Sequence, residues 1–294
     1  MKSNKKTSSG LLIMAAISIL VAGCQKLDRP ALRPIIPDPT PPPFSALKSY
    51  WQFNGNSTDE GESKLSSTTK NITYVTGISG QAAKIGADGY ILLKAIGDTV
   101  KYPNEFVGLP ADTLRNLGSF SIAFWMNGVG PVQGGAQGLF AISHKTQFWG
   151  NLEIFLENYN SGDDAFFKLH LFNDNISGGG EQWIADNAMQ FTGVLNKWTH
   201  VAFTYDASNS TFRAYIDGAR KDERVLNNGN YGNIKFKDFN GMVLGSFAFQ
   251  TTPSLTNHGP ESWAKSFNGS LDNFRIYNRS LSQAEITDLF SNKK

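Results

Sequence analysis

Apolar and polar residues alternate with a period of two along most of the chain, a pattern that indicates half-buried β-strands. The clearest run is Ser119–Met126, whose apolar side chains at every second position share one face while Trp125 lies on the other. Turn residues separate such runs at short intervals, so we predict about a dozen strands in an all-β, two-sheet antiparallel sandwich. The other predicted strands are Tyr50–Phe53, Ile72–Val75, Gly80–Gly86, Tyr90–Leu93, Leu139–Ser143, Leu152–Leu156, Ala165–Phe172, Asn196–Asp206, Thr211–Ile216, Met242–Phe249 and the segment that starts at Phe267.

The last of these strands carries a carboxylate at an unexpected position. Phe274 and Ile276 alternate with polar neighbours, and strict alternation places Asp272 on their inward face. A carboxylate on an inward face is costly unless a cation or several hydrogen-bond donors meet it. Asp272 is therefore expected to have a specific partner in the folded domain.

A complete helix-start signal follows that strand. Ser282 and Glu285 have the spacing of a capping box, and Leu281 and Ile286 can form the accompanying hydrophobic staple. We therefore predict a short helical turn at the C-terminal end of the sandwich.

The first 23 residues have the pattern of a secretion signal rather than of a folded segment. Lysines at positions 2, 5 and 6 precede Leu11–Val21, an apolar run too short to span a membrane. The run is followed by small residues and then by Cys24, the only cysteine of the chain. This arrangement resembles the lipobox of bacterial lipoproteins, which implies cleavage before Cys24 and attachment of lipid to it. An ordinary signal peptide is the alternative.

Residues 24–45 are predicted to form a tether between that anchor and a folded domain at 46–294. The segment contains seven of the twelve prolines of the chain. Such a composition favours an extended polyproline II spacer. A proline-rich ligand for a partner domain is the alternative.

Charge and composition narrow the function classes. The net charge is +2 and charged residues make up 18% of the chain, so nothing indicates the basic surface that nucleic-acid binding requires. The glycine-rich stretch 128–138 lacks the spacing and the following helix of a phosphate-binding loop. Residues 95–117 are predicted to be an insertion, and we assign them no chemistry.

Three stretches together resemble the laminin-G-like domains of the concanavalin A-like jelly-roll family. They are Ser119–Met126, the hairpin Trp198–Gly218 and the closing segment Phe267–Ile286, and the match covers roughly residues 48–290 in order. The resemblance implies a curved two-sheet jelly roll that binds glycans or proteins, often with a structural calcium ion. Combined with the lipobox, it implies a bacterial lipoprotein of the Bacteroidetes type.

The same resemblance implies a calcium ion between the closing strand and the loop after the first strand. Asp272 would then share the ion with Asp59, Asn56 and backbone carbonyls near Gly55. Calcium takes six to eight oxygen ligands, including carbonyl and amide oxygens, so this mixture suits it. In the alternative, loop amides donate hydrogen bonds to Asp272 and no metal binds.

Concanavalin A-like folds also include retaining glycoside hydrolases, whose catalytic strand carries two glutamates with an aspartate between them. Glu153 and Glu157 are four residues apart on one strand face, but Phe155 stands where the aspartate would be. Without that aspartate the pair lacks the neighbour that tunes its protonation. We therefore predict no enzymatic activity and assign no catalytic residue.

Glycan binding is predicted instead, from aromatic side chains in loops. Sugar rings stack their apolar faces on Trp and Tyr while amides and carboxylates bind the hydroxyl groups. Trp149, Trp183 and Trp263 lie in polar, glycine-containing loops, and Tyr159 lies in a turn. These four are the predicted ligand-binding residues. In the alternative, each tryptophan covers an edge of the sandwich.

The sequence thus predicts a non-catalytic carbohydrate-binding lipoprotein of the bacterial envelope, on the outer membrane and facing the cell surface or the periplasm. A glycan or polysaccharide is the predicted partner, and the lipid anchor is the predicted contact with the membrane. A protein-binding or adhesion module that uses the same loops is the second hypothesis. A glycoside hydrolase is the third.

Overall fold

A computed structural model describes residues 45–94, 114–177 and 180–293. They belong to one compact unit, Ser45–Lys294, whose continuous hydrophobic core is what a domain needs to fold alone. The predicted signal peptide, Cys24 and most of the tether lie outside the described residues, as do residues 95–113 of the predicted insertion. The end of that insertion is described, and there Leu114 and Leu117 are buried in the core.

The described residues include fifteen strands and a C-terminal α-helix, α1 (Gln283–Ser291). Across residues 45–94, 114–177 and 180–293, no helix has the length and hydrophobicity needed to cross a membrane. The strands are β1 (Leu47–Trp51), β2 (Ser66–Thr76), β3 (Gln81–Lys94), β4 (Phe120–Gly128), β5 (Ala136–Ile142), β6 (Leu152–Leu156), β7 (Ala165–Asn173), β8 (Gly180–Ile184), β9 (Gln190–Phe191), β10 (Thr199–Asp206), β11 (Thr211–Ile216), β12 (Ala219–Val225), β13 (Met242–Leu244), β14 (Ala264–Ser266) and β15 (Gly269–Tyr277).

Most of the strands form one hydrogen-bonded path, in the order β12-β11-β10-β4-β15-β3-β13-β5-β6-β7-β8. The path curls so that its two halves face each other across the core. Phe203 on β10 packs against Phe167 on β7 with ring centroids 5.6 Å apart, and Phe274 on β15 packs against Phe140 on β5 at 5.2 Å. Neighbours along the path are antiparallel, and β14 adds to β5 in parallel. The predicted all-β antiparallel jelly roll is confirmed.

The first and last strands of the domain are neighbours, as the family resemblance implies. β1 pairs with the second half of β15 in antiparallel register, with Trp51 opposite Phe274. The first half of β15 pairs instead with β3. The closing strand therefore connects the beginning of the domain to the centre of the sheet.

The C-terminal helix begins at the predicted capping box. Ser282 Oγ accepts a hydrogen bond from the Glu285 N–H, and the Glu285 carboxylate accepts one from the Ser282 N–H. Leu281 and Ile286 are buried in one cluster beside α1, as the hydrophobic staple requires. The helix start is thus formed by local contacts that the sequence encodes.

A β-bulge in β15 moves Asp272 to the face opposite the predicted one. The register of β15 against β4 shifts between Asp272 and Arg275, where Asn273 adopts a φ of 49°. Asp272 lies opposite Trp125, which stacks on α1 outside the core, and directly opposed residues point to the same face. The extra residue of the bulge returns Phe274 to the core. The prediction of an inward Asp272 from strict alternation was therefore wrong.

The alternation pattern misses the two-residue β9 and the three-residue β14, and it misses or shortens three polar strands that each have a single partner strand. β2 runs from Ser66 to Thr76 and is mostly exposed, whereas only Ile72–Val75 is predicted. β12 carries charged side chains on both faces, and β8 lies in a stretch predicted to be a loop. Edge strands of this kind are polar because an apolar edge would pair with other chains, so they offer no apolar period to detect.

Candidate functional site

The outer face of the half-sheet β5–β8 carries a row of polar and aromatic side chains. Glu153 of β6 lies opposite His170 of β7, and His170 lies opposite Trp183 of β8. Opposed residues point to the same face. Because Leu152 and Ile154 on β6 point into the core, this row lies on the outer face.

The three tryptophans predicted to bind ligand come together beside this row. Trp149, in the loop after β5, contacts Trp183 with ring centroids 4.8 Å apart and Trp263 at 6.0 Å. We call these three residues the tryptophan cluster. Trp183 and Trp263 are 41% and 39% exposed, whereas large aromatic side chains are usually well buried. Trp183 lies on β8, so its predicted position in a loop was wrong, although its proximity to the other two fits a shared site.

The tryptophan cluster rests on a second layer of aromatic rings. Trp149 stacks on Phe155 of β6 at 5.9 Å. Phe249, in the segment after β13, stacks on Phe148 at 4.4 Å and contacts Trp263 at 5.6 Å. Rings fixed on several sides lose little side-chain freedom on meeting a ligand, which favours binding.

A groove of about 300 Å³ opens beside Trp149. One part of its wall is aromatic, and the rest supplies two imidazoles, an amide and a carboxylate. This combination can stack on a sugar ring and bind its hydroxyl groups. The residues that line the groove are His144, Gln147, Phe148, Trp149, Gly150, His170, Phe172 and Glu181.

Glu181 is fixed at the rim of the groove by two nitrogen atoms. Its Oε1 lies 3.0 Å from His170 Nε2 and accepts a 3.3 Å hydrogen bond from Trp183 Nε1. Burial lowers the pKa of His170 and outweighs the opposite effect of Glu181, so the ring is neutral at pH 7 and donates through Nε2. The Glu181 side chain is 56% exposed, so its second oxygen can accept a hydrogen bond from a ligand.

Sequence reasoning did not select His170 or Glu181 as site residues. His170 stands between apolar neighbours at an outward position of a predicted strand, and this is the signal that could have placed it on the outer face. On β8, Glu181 and Trp183 likewise occupy outward positions, two residues apart. That signal is hidden because the strand is short, polar and next to glycines.

Glu153 is fully buried beneath the segment that contains Ala248. Neither carboxyl oxygen makes a hydrogen bond of normal geometry, and the nearby N–H groups of Ala248 and Gly150 offset the desolvation only in part. Burial raises the pKa of Glu153 to about 8, so the group is protonated at neutral pH. Glu157 forms a 2.7 Å ion pair with Lys168. With Glu153 buried and Glu157 paired, the two residues do not offer the pair of accessible carboxyl groups that a retaining mechanism uses.

Tyr159, the fourth predicted binding residue, lies apart from the tryptophan cluster. Its ring packs against Phe166 of β7 at 6.2 Å, and its N–H donates to the Val132 carbonyl. Phe166 is four residues from His170, about 13 Å along an extended strand. A ligand that reached both places would need to contain several sugar units.

Asp272 is buried under the turn between β2 and β3. Its Oδ2 accepts hydrogen bonds from the N–H groups of Ile78 at 2.8 Å and Ser79 at 3.3 Å, whereas its Oδ1 has no partner. A Cβ atom on Gly77 would lie 2.3 Å from Oδ2, so the turn closes tightly on the carboxyl group. Burial raises the pKa of Asp272 to about 6. Loop amides thus meet Asp272, as one of the two alternatives requires.

The other predicted calcium ligands lie in the loop after β1, where they shape and stabilise the loop itself. Asp59 accepts hydrogen bonds from three backbone N–H groups at 2.9 to 3.0 Å, Asn56 Oδ1 accepts one at 2.8 Å, and Gly55 turns the chain with a φ of 75°. Among the described residues, no group of three or more His, Cys, Asp or Glu side chains is placed to hold a metal ion. Backbone donors already engage both oxygens of Asp59, so Asp272 Oδ1 is the carboxyl oxygen of the predicted set that has no partner. Calcium binding stays a prediction that rests on the resemblance and on Asp272 Oδ1.

Two larger clefts, of about 390 and 450 Å³, lie elsewhere on the domain. The first is lined by amides, glycines, Asp88 and Lys265, and the second by amides, Asp217, Lys197 and Lys221. Within the described part of the chain, neither cleft is lined by a tryptophan or tyrosine. The groove beside Trp149 is therefore the better candidate for a site that binds sugar by stacking.

The sequence profile of the concanavalin A-like lectin/glucanases superfamily matches residues 103–287, more than half of the chain. The chain belongs to this superfamily. The laminin-G-like resemblance is thereby confirmed, and so is the concanavalin A-like class of the jelly roll. The superfamily contains lectins and glucanases, so membership alone does not decide between binding and hydrolysis.

Solved structures with this superfamily fold include sugar complexes. One is domain 4 of AbnA, a GH43 extracellular arabinanase from Geobacillus stearothermophilus, which was solved in complex with arabinotriose. It is 20% identical to this chain, with a TM-score of 0.51, and the match covers 83% of this chain and 97% of that domain. The receptor binding domain of botulinum neurotoxin C/D mosaic serotype is 13% identical, with a TM-score of 0.55, covering 84% and 51%. The serotype D ligand binding domain with N-acetylneuraminic acid is 12% identical, with a TM-score of 0.55, covering 84% and 51%.

At these identities the likeness shows the fold alone. The chain spans about half the length of the neurotoxin domains that it matches. No curated protein matches the chain.

Proposed function

We propose that this domain is a non-catalytic carbohydrate-binding module whose ligand stacks on the tryptophan cluster and enters the groove beside Trp149. The observation that carries the proposal is the convergence of Trp149, Trp183 and Trp263, two of them well exposed, next to that groove. Exposed apolar clusters on soluble domains commonly mark interaction sites. Polar groups at the rim match the hydroxyl groups of a sugar.

The structural neighbours support a glycan as the class of ligand. The arabinanase domain was solved with arabinotriose, and the neurotoxin D domain was solved with N-acetylneuraminic acid. Both ligands are carbohydrates, and each protein is at most 20% identical to this chain. The fold therefore accommodates sugar ligands without fixing which sugar is bound.

The state of the two strand glutamates favours binding over hydrolysis. Glu153 is buried and protonated, and Glu157 is engaged by Lys168. Retaining hydrolysis needs two carboxyl groups about 5 Å apart on either side of an accessible bond. This pair does not supply that arrangement.

We further propose that the module is a lipoprotein of the bacterial envelope, attached through Cys24 and a proline-rich tether. The run of apolar and small residues before Cys24 and the seven prolines after it support this assignment. Residues 24–45 would then act as a semi-rigid spacer between the membrane and the domain.

The proposed binding function is tested with the fragment 45–294 on a glycan array, followed by calorimetry on the glycans that bind. We expect Trp183→Ala to weaken binding about tenfold, because a lost stacking contact amounts to about 1.4 kcal/mol. Trp183 lies exposed on an edge strand, so the variant should fold. Val225→Ala is the matched control, since Val225 is 58% exposed on β12 at the other end of the sheet path.

Two results would count against the proposal. If the fragment bound no glycan, the carbohydrate-binding proposal would be wrong. A protein partner would then be the remaining candidate for binding to the exposed tryptophans. Glycan binding that is unchanged in both Trp183→Ala and Trp263→Ala would place the sugar site elsewhere on the domain.

A further inference from the structure

The groove beside Trp149 is lined by one acidic side chain and no basic one. Among the described residues that line it, Glu181 is the acid, and neither lysine nor arginine contributes. The remaining titratable groups are His144 and His170. Burial lowers the pKa of both, so each imidazole is neutral at pH 7. The groove therefore presents a net negative charge to a ligand.

The lysines near this region do not compensate that charge. Lys168 is paired with Glu157 at 2.7 Å, and Lys237 lies 3.9 Å from Asp174. Lys145 lies in the loop before Trp149 but does not line the groove. A ligand in the groove would therefore meet Glu181 before it met any of these cations.

The charge of Glu181 is fixed next to the surface on which a sugar would stack. Its Oε1 contacts both His170 Nε2 and Trp183 Nε1, so the carboxylate cannot turn away without breaking two contacts. The 3.3 Å hydrogen bond from Trp183 sets the distance between the exposed ring and the charge. A sugar stacked on Trp183 would therefore lie within a few ångströms of the carboxylate.

We propose that this groove selects uncharged glycans and rejects sugars that bear a carboxylate, such as uronic and sialic acids. This inference rests on the proposed carbohydrate-binding function. The hydroxyl groups of a neutral sugar can donate to Glu181, whereas a sugar carboxylate has no proton to donate and is repelled. Sites that bind carboxylates usually supply arginine or lysine for the purpose. By this criterion the ligand class differs from that of the neurotoxin D domain solved with N-acetylneuraminic acid.

The test compares neutral glycans with matched forms that carry a carboxylate. The fragment 45–294 is assayed by calorimetry against neutral glycans and their sialylated counterparts, and against homogalacturonan in its methyl-esterified and free-acid forms. We expect each acidic form to bind at least about tenfold more weakly than its neutral partner, given two like charges a few ångströms apart at a protein surface. A tenfold difference corresponds to 1.4 kcal/mol.

Glu181→Gln separates the charge from the shape of the site. The amide oxygen can still accept from His170 and Trp183, so the rim should keep its geometry while losing its charge. We expect this variant to bind the acidic form nearly as well as the neutral one. Glu60→Gln is the matched control, because it removes an exposed carboxylate from the loop after β1 and should leave the preference unchanged.

The outcomes distinguish this inference from the function on which it rests. The charge-selection inference is supported if the parent fragment prefers neutral glycans and this preference disappears in Glu181→Gln. Equal or tighter binding of acidic glycans, still lost in Trp183→Ala, overturns the charge selection while the carbohydrate-binding function stands. If neither form of any glycan binds, both the function and the inference fail.

Discussion

A protonated glutamate below the tryptophan cluster makes the stability of the domain depend on pH. Burial raises the pKa of Glu153 from 4.5 to about 8. Between these values the folded protein binds more protons than the unfolded chain, so the free energy of unfolding falls as pH rises. The contribution is fully present below about pH 4.5, the unfolded value, and it is lost as pH passes through the folded value near 8.

Replacement of Glu153 by glutamine should remove this dependence. Glutamine has nearly the same shape as glutamate and cannot ionise. The free energy of unfolding of Glu153→Gln should therefore equal that of the parent protein at pH 4.5 and be larger at pH 8. We expect a gain at pH 8 of a few kcal/mol, since each pKa unit of the shift corresponds to about 1.4 kcal/mol. Urea denaturation at a series of pH values measures this directly.

Glu157→Gln is the matched control for that experiment. Glu157 lies at the partly exposed end of the same strand in an ion pair with Lys168, so its loss should leave the slope of stability against pH in place. If Glu153→Gln and the parent protein showed the same slope, Glu153 would not be the group that carries it.

At the level of single residues, the sequence could single out side chains by their chemistry but could not give contacts that depend on strand pairing. Exposed tryptophans could be selected from the sequence because aromatic residues in polar segments are unusual. The link between Glu181, His170 and Trp183 depends on the register of β7 against β8. Because register is set by the whole sheet, it cannot be predicted from a local sequence pattern.

At the scale of elements, the turn between β2 and β3 is attached to β15 through Asp272. The carboxyl group accepts from two backbone N–H groups of that turn, and Asn54 Oδ1 accepts from the Gln81 N–H at its other side at 2.8 Å. Loss of an acceptor leaves buried donors unpaired, which costs more than the bond itself contributes. The turn therefore depends on two side chains from distant parts of the chain.

We expect Asp272→Ala to lower the free energy of unfolding by about 2 to 4 kcal/mol, because two partly buried N–H groups would lose their acceptor. Asp272→Asn keeps a carbonyl acceptor and should cost clearly less. Thermal unfolding of the parent protein with calcium and with EDTA is measured beside these variants. If hydrogen bonds alone hold the turn, EDTA should leave Tm unchanged, whereas a clear fall in Tm that is absent from Asp272→Asn would support the calcium prediction.

Strands with an apolar period were predictable from the sequence, and polar edge strands were not. β4, β10 and β11 alternate clearly and lie where the pattern puts them. β2, β8 and β12 have solvent on much of their surface, so their sequences carry no burial signal. The bulge at Asn273 could not be predicted for a related reason. One inserted residue moves every later side chain to the other face of the sheet without changing the composition of the strand.

At the scale of the whole molecule, the sequence was sufficient for the fold class because the motifs and the hydrophobic period agree with each other. It was not sufficient for the site, because the groove is built from the loop after β5 and two strands, and the tryptophan cluster beside it also packs on the segment after β13. Segments so far apart in sequence meet only after the sheet has curled. The sequence could nominate Trp149, Trp183 and Trp263 but could not show that they contact one another.

The proposed anchor is tested on the full chain in cells. If Cys24 carries lipid, a palmitate analogue should label the protein and the protein should fractionate with membranes. Cys24→Ser should abolish the label and release the protein from the membrane fraction. Ser8→Ala, in the polar segment before the apolar run, is the control and should behave like the parent. Labelling that persists in Cys24→Ser would rule out this residue as the attachment site.

The pairing of β1 with β15 has a mechanical consequence. A pull applied to the chain at Ser45 and directed along β1 would load the hydrogen bonds to β15 in shear, because antiparallel ladder bonds run perpendicular to the strands. Shear loads the bonds of the ladder together, whereas peeling breaks them one at a time. Since β15 is also bonded to β3 and β4, tension that enters at the first strand would spread into the centre of the sheet. Tension from the proposed anchor would therefore be carried by the centre of the sheet and not by β1 alone.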